Sequence, residues 1–270
     1  DKEDDWRKKG PSKENRKDPI VGLGLLLDAD QIPIGMKLFP GNESEKPVIR
    51  KVIDDLKHRN FVTGRTIRIA DKRLDCAENI AHALREEDGY IFSKSVKQLP
   101  ETEKTWVLLE NDYKDIPDKN GKVKYRIKEC VDDFPYTITD PSAGRKTTVK
   151  LREKRVVSFN PKLAQKQIFE INREVEKSKL LKASQAKKSE YGDCAKYVTF
   201  SSTDQNGNET DGKVKVTINQ KLIDKSIELA GYNMLVTSEI SMNKEAIYEA
   251  FLPYAHPMIL RSYKSITDAK

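Results

Sequence analysis

The chain has 270 residues, a formal net charge of +7, a sequence pI of about 9.0, and 37% hydrophobic against 34% charged residues. That length suits about two domains, or one domain with a large insertion, and no apolar run approaches the ~20 residues that a membrane-crossing helix needs. Cys76, Cys130, Cys194 and the histidines His58, His82 and His256 are scattered. None stands at the short spacing of a zinc site, so reduced thiols are expected and a structural metal is not. The basic balance favours a polyanionic partner, nucleic acid first, although charge alone does not identify one.

In chain order, residues 1–18 are charged and poor in apolar groups, which predicts a loop or extended arm. Pro19 to Leu27 is a near-continuous apolar run, the pattern of a buried strand. Asp28-Ala29-Asp30-Gln31 supplies turn residues, and Ile32, Ile34, Met36 and Leu38 alternate as in a half-buried strand. The two strands read as a β-hairpin that ends at Pro40-Gly41-Asn42. Ser44, with Pro47 in the first turn, starts a helix whose apolar positions are Val48, Ile49, Val52, Ile53 and Leu56. Arg65 to Ala70 is a strand with Ile67 and Ile69 on one face, stopping at Asp71. Residues 75–87 read as a helix with Asp75 as cap and Ile80 and Leu84 inward, and Tyr90-Ile91-Phe92 as another short strand. A hairpin followed by crossover helices implies a mixed sheet with helices packed on it.

Residues 95–225 change style. Short alternating strands such as Val123, Tyr125, Ile127 and Arg155-Val156-Val157-Ser158-Phe159 are separated by turn clusters at Asp118-Lys119-Asn120-Gly121 and Asp204-Gln205-Asn206-Gly207-Asn208. One long helix is predicted from Lys162 to Lys182, with Ile168, Ile171 and Val175 on one face. Between Pro161 and Glu190 eight Lys or Arg stand against four Glu. For a lone helix, a solvated face accounts for such an excess better than a ligand surface does. After residue 225 the earlier style returns: Tyr232 to Thr237 is a buried strand, and Ser241 or Asn243 caps a helix beginning near Lys244. The expected organisation is one α/β core interrupted by a mostly β segment, residues 95–225, that carries the basic helix.

Asp71 is the acidic residue that stands out, because functional side chains of open α/β sheets gather at the carboxyl ends of strands. A carboxylate there can bind a hard cation such as Mg²⁺. Read by itself, Asp71 suits a helix cap or a turn better, since two-metal phosphodiester chemistry needs several converging carboxylates.

Four segments in order resemble a group of bacterial insertion-sequence transposases. They are the arm Arg7 to Arg16, the strand pair ending Gly35-Met36-Lys37-Leu38-Phe39-Pro40-Gly41-Asn42, the run Ile69-Ala70-Asp71-Lys72-Arg73-Leu74 with Asn79-Ile80 behind it, and Gly231-Tyr232 to Val236-Thr237-Ser238-Glu239. The resemblance implies an RNase H-like core with an inserted β domain. It also implies a triad of acids holding two divalent metals, Mg²⁺ or Mn²⁺, for DNA cleavage and strand transfer. Its partners would be double-stranded DNA, as terminal inverted repeats and target, and a second copy of the chain, in the bacterial cytoplasm at the nucleoid and away from membranes. Asp71 takes the place of the second acid and metal ligand. Lys72 and Arg73 beside it would meet phosphates, although the family carries Gly where Arg73 stands. The first acid belongs to a strand preceding the arm, so the chain reads as a fragment. Where the third is expected the sequence runs Tyr254-Ala255-His256-Pro257-Met258-Ile259-Leu260, without Asp or Glu between Glu249 and Asp268. Glu249 is the fallback for it. The expectation is therefore a catalytically incomplete transposase, with Lys166, Arg173, Lys177 and Lys188 of the basic helix as DNA contacts. A non-enzymatic DNA-binding derivative and a basic protein-interaction scaffold are the other readings.

Overall fold

The computed structural model describes residues 4–10, 18–28, 30, 32–59, 63–139, 144–179, 196–201 and 215–255. The chain is mixed α/β. It divides into two compact units, one made of residues 1–94, 129–156 and 234–270, the other of residues 95–128 and 157–233. No helix among the described residues is long and apolar enough to cross a membrane.

The first unit opens with strands β1 (Val21–Leu27) and β2 (Pro33–Pro40), paired antiparallel as a two-stranded sheet. Asp28 shapes their turn, its carboxylate accepting from the backbone N–H groups of Asp30 and Ile32. The helix α1 (Glu45–His58) lays Val48, Val52 and Leu56 against Phe39 of β2. The face of the hairpin that meets α1 is therefore the one bearing Gly22, Gly35 and Phe39. A Cβ on Gly22 would run into the Phe39 ring, and one on Gly35 would lie 2.9 Å from Leu56 Cδ1. Glycine lets the helix come close. The apolar row expected to face the core lies on the other face instead. Val21, Leu23, Ile34, Met36 and Leu38 are all exposed. Alternation identifies a strand, but which of its faces is covered depends on what packs there. In the arm, Lys8 exchanges backbone hydrogen bonds with Ile20 as an antiparallel bridge.

Strand β3 (Ile67–Ala70) runs parallel to β4 (Gly89–Lys94), and α2 (Ala77–Arg85) makes the crossover. Ile80 of α2 is fully buried, but Leu84 is exposed. Cys76, not Asp75, is the N-cap of α2 and provides no side-chain bond; Ser44 caps α1 by position, likewise without one. Strand β10 (Tyr232–Thr237) pairs antiparallel with β4 through Met234 to Thr237. Asn243 caps α6 (Lys244–Ala255) by accepting from the Ala246 N–H.

The short strands expected after residue 95 belong to longer ones. β5 (Lys114–Pro117) pairs with β6 (Val123–Thr139), and β7 (Lys146–Phe159) follows. Six strands are hydrogen-bonded in the order β3-β4-β10-β7-β6-β5, and β6, β7 and β10 each contribute residues to both units. Residues 129–156 of β6 and β7 belong to the first unit, and the first hairpin forms a two-stranded sheet of its own. Charged residues within β6 and β7 hid their continuity. The turn cluster at 204–208 lies outside the described residues.

The second unit contains α3 (Glu101–Leu108), α4 (Pro161–Lys179), the strand pair β8 (Val198–Ser201) and β9 (Lys215–Ile218), and α5 (Gln220–Glu228). Asn160 caps α4, accepting from the N–H groups of Lys162 and Leu163. Ile171 and Val175 of α4 pack with Tyr197 and Ile223. Gly231, at φ +84°, accepts from the Asn160 N–H and donates to Gln167 Oε1 at 2.8 Å. A Cβ there would meet that of Ala164 at 2.6 Å.

Polar groups lock the first unit together. Asp88, 2% exposed, accepts from Lys57 Nζ at 2.6 Å, from Arg68 at 2.9 and 2.6 Å, and from the Thr66 N–H at 3.1 Å. Arg68 also meets His82 Nδ1, and His82 Nε2 reaches Asp54. Because an arginine can only donate, Nδ1 is the acceptor and Nε2 carries the proton toward Asp54. Burial raises the Asp88 pKa, but the hydrogen bonds from Lys57, Arg68 and Thr66 outweigh it and hold the carboxyl below its ordinary value. A depressed folded-state pKa gives stability that is full above the unfolded value of about 3.9 and is lost as pH falls through the folded value. Asp88→Asn is expected to lower unfolding stability at pH 7 by about 3–5 kcal/mol, because it leaves a buried guanidinium unpaired. Urea melts should show the gap to wild type narrowing below pH 4. A gap that is small at pH 7, or constant down to pH 2, would contradict this account.

Candidate functional site

Strand β3 ends at Ala70, and the chain turns at once: the Asp71 carbonyl accepts from the Leu74 N–H. Asp71 is exposed, with Oδ1 accepting from its neighbour's N–H, that of Lys72, at 2.6 Å. Lys72 and Arg73 are exposed beside it. The carboxylate thus stands at the carboxyl end of a strand followed by a crossover, as expected. Within the described sheet, however, β3 is an edge strand and not a central one. A mostly apolar cavity of about 850 Å³ lies along β3, lined by Ile67 and Ile69 with Leu26, Ile53, Leu74 and Phe92; Asp71 is not among its lining residues.

Glu239 is placed apart from Asp71. Because β10 runs antiparallel to β4, Glu239 lies at the amino end of the β3–β4 pair, against Gly89 and ion-paired with Arg65. Glu249 is exposed on α6. Among the described residues no three His, Cys, Asp or Glu side chains gather as a metal-ligand set. Two divalent ions need several carboxylates.

Sequence patterns missed a buried polar cluster in the same unit. Glu153 of β7 is wholly buried, and its Oε2 accepts from the hydroxyls of Tyr90 at 2.8 Å and Tyr136 at 2.7 Å. Its Oε1 accepts from Arg155 Nε at 3.0 Å, and that guanidinium lies 3.3 Å from the centre of the Phe134 ring. Lys94 sits over the Tyr136 ring at 5.2 Å. Burial, reinforced by the Glu153 charge, drives both tyrosine hydroxyls far above their ordinary range. Asp75, four residues beyond Asp71, is half-buried. Burial raises its pKa, Glu153 raises it further, and Lys94, Lys46 and Arg155 pull it back. The cluster gives the first unit a carboxyl that keeps its proton to higher pH than usual. A period-two reading of β7 could have found Glu153, because it shares a face with Arg155 and the fully buried Val157.

On α4 the structure brings three of the expected DNA contacts together. Lys166, Arg173 and Lys177 are exposed, while Ala164, Ile171, Val175 and Ser178 form the buried side. Lys188 lies outside the described residues. Lys162 was not among the expected contacts but is exposed on the same face. No ion pair involves any of these four described cations among the described residues. No protein-family model and no curated protein matches the chain.

The electrostatics around Asp75 yield a direct test. Lys94→Met should raise the Asp75 pKa and Glu153→Gln should lower it, as read from carboxyl carbon shifts in NMR titrations. Shifts in the same direction for both variants would show that the two charges do not act on Asp75.

Proposed function

We propose that the chain is a DNA-binding protein of the insertion-sequence transposase type. In this reading the first unit derives from an RNase H-like core, and α4 holds double-stranded DNA by its phosphates. The observation that carries the proposal is the row of exposed cations Lys162, Lys166, Arg173 and Lys177 on α4, opposite a buried apolar side. Fixed on a helix that is itself capped by Asn160 and tied to Gly231, these charges form a spaced array rather than a diffuse excess. Contacts to phosphates position a protein on DNA without reading sequence.

Asp71, with Lys72 and Arg73, is the group that this reading sets nearest a phosphodiester. DNA cleavage and strand transfer, supported by Mg²⁺ or Mn²⁺, is the reaction class the resemblance supplies. A single carboxylate leaves most of the charge and coordination of two such ions to water, and Mg²⁺ gives up water reluctantly. The chain as given is therefore proposed to bind DNA without nicking it.

The double charge reversal Lys166→Glu/Arg173→Glu should weaken binding to duplexes of unrelated sequence by the same factor. It should also flatten the dependence of affinity on salt, since each lost phosphate contact removes a counterion release. Fluorescence anisotropy on two or three duplexes measures both. Unchanged affinity would return α4 to a solvated face. Metal-dependent nicking that Asp71→Ala abolishes would replace the binding-only reading with an active enzyme.

A further inference from the structure

The cation row on α4 contains one residue that phosphate binding does not explain. Phe169 is 68% exposed, the most exposed of the large apolar side chains among the described residues. It stands on the same face as the cations. The order along the helix is Lys162, Lys166, Phe169, Arg173, Lys177, in steps of four, three, four and four residues. At ~100° per residue these five positions fall within a stripe about 80° wide, and at ~1.5 Å per residue the stripe is about 22 Å long. The apolar side of α4 is satisfied elsewhere, by Ile171 and Val175 against Tyr197 and Ile223. Phe169 is thus not a misplaced core residue on a face that packs.

Acids near the stripe are largely accounted for. Glu176 pairs with Lys179, and Glu174 approaches Lys196. Glu170 borders the stripe and is partly exposed. The stripe therefore presents a flat aromatic ring with two cations on either side along the helix. A duplex offers phosphates to such a surface but keeps its bases stacked inside, where Phe169 cannot reach them. A single strand offers both, since phosphates track the cations while an unstacked base lies on the ring. About six nucleotides at the ~3.4 Å rise of one strand span the length of the stripe.

We propose that the α4 stripe is a binding site for single-stranded DNA, in which Lys162, Lys166, Arg173 and Lys177 hold the phosphates and Phe169 stacks on one unpaired base. The proposal rests on the reading of α4 as a DNA-binding face and adds to it the strand state that the face prefers. Ring stacking tolerates any base, so the preference is for unpaired DNA and not for a sequence.

The test uses the full chain, a 12-nucleotide single strand carrying 2-aminopurine at its centre, and a duplex of the same sequence. Phe169→Ala should weaken single-strand binding by roughly 5- to 100-fold. It should leave duplex affinity and both salt slopes unchanged, and Phe169→Trp should restore single-strand binding. Bound 2-aminopurine should be quenched by wild type and by Phe169→Trp, but not by Phe169→Ala. Because Phe169 is exposed, these variants should keep the wild-type urea midpoint, which serves as the folding control. Equal effects of Phe169→Ala on both DNA forms, or none on either, would overturn the stacking proposal. If Lys166→Glu/Arg173→Glu still weakened binding in that case, the DNA-binding reading would survive. If neither variant had any effect, both would fall. Tighter binding of the matching RNA strand would overturn the assignment to DNA.

Discussion

Asp88 is the buried carboxylate on which the geometry of the first unit depends. Its two oxygens take hydrogen bonds from α1 through Lys57, from β3 through Arg68, and from the backbone at Thr66 just before β3. Arg68 carries the connection on to His82 of α2. A lone carboxylate moved out of water would be strongly penalised. Four donors converging on it reverse that penalty only if they keep their places, so the network enforces one arrangement of α1, β3, α2 and the start of β4. The position of Asp71 follows from it. The register that sets Ile67 beside Gly89 also sets Ala70 beside Phe92, and the exposed turn begins one residue later.

Much of this was legible in the sequence, because it rests on local signals. Turn residues marked the first hairpin, Val48, Val52 and Leu56 marked the inner side of α1, and the alternation ending at Ile69 placed Asp71 after a strand. The hairpin's covered face was misjudged because its apolar row is the exposed one. The face that meets α1 is made close-packing by glycines, and hydropathy gives a glycine no weight. The long strands β6 and β7 were read as fragments for a related reason. Their charged residues include Lys128, Glu153, Lys154 and Arg155, each buried. Lys128 Nζ, for example, donates to the carbonyls of Trp106 and Leu109 and lies 4.4 Å from the centre of the Tyr113 ring. A buried charge supplied with partners looks like a surface residue in sequence, and only the fold shows its partners.

The same point separates the two parts of the candidate site. Asp71, Lys72 and Arg73 form a contiguous run, so sequence could single them out. Glu153, Tyr90 and Tyr136 come from three distant strands, and no local pattern joins them. The α4 stripe lies between these cases. Its charge excess was visible as composition. Its helical phase, which gathers four cations and Phe169 on one side while Ala164, Ile171 and Val175 turn inward, needed the helix limits and its neighbours.

The proposed binding of phosphates by the four cations of α4 has a thermodynamic signature of its own. Binding that neutralises phosphates releases condensed counterions, in proportion to the number of contacts. The most direct measurement is the association constant of the wild-type chain with a random-sequence 20-base-pair duplex, across salt from 50 to 300 mM. Four contacts predict a log–log slope of roughly −3 to −4. A slope near zero, or no measurable binding at the lowest salt, would contradict the account.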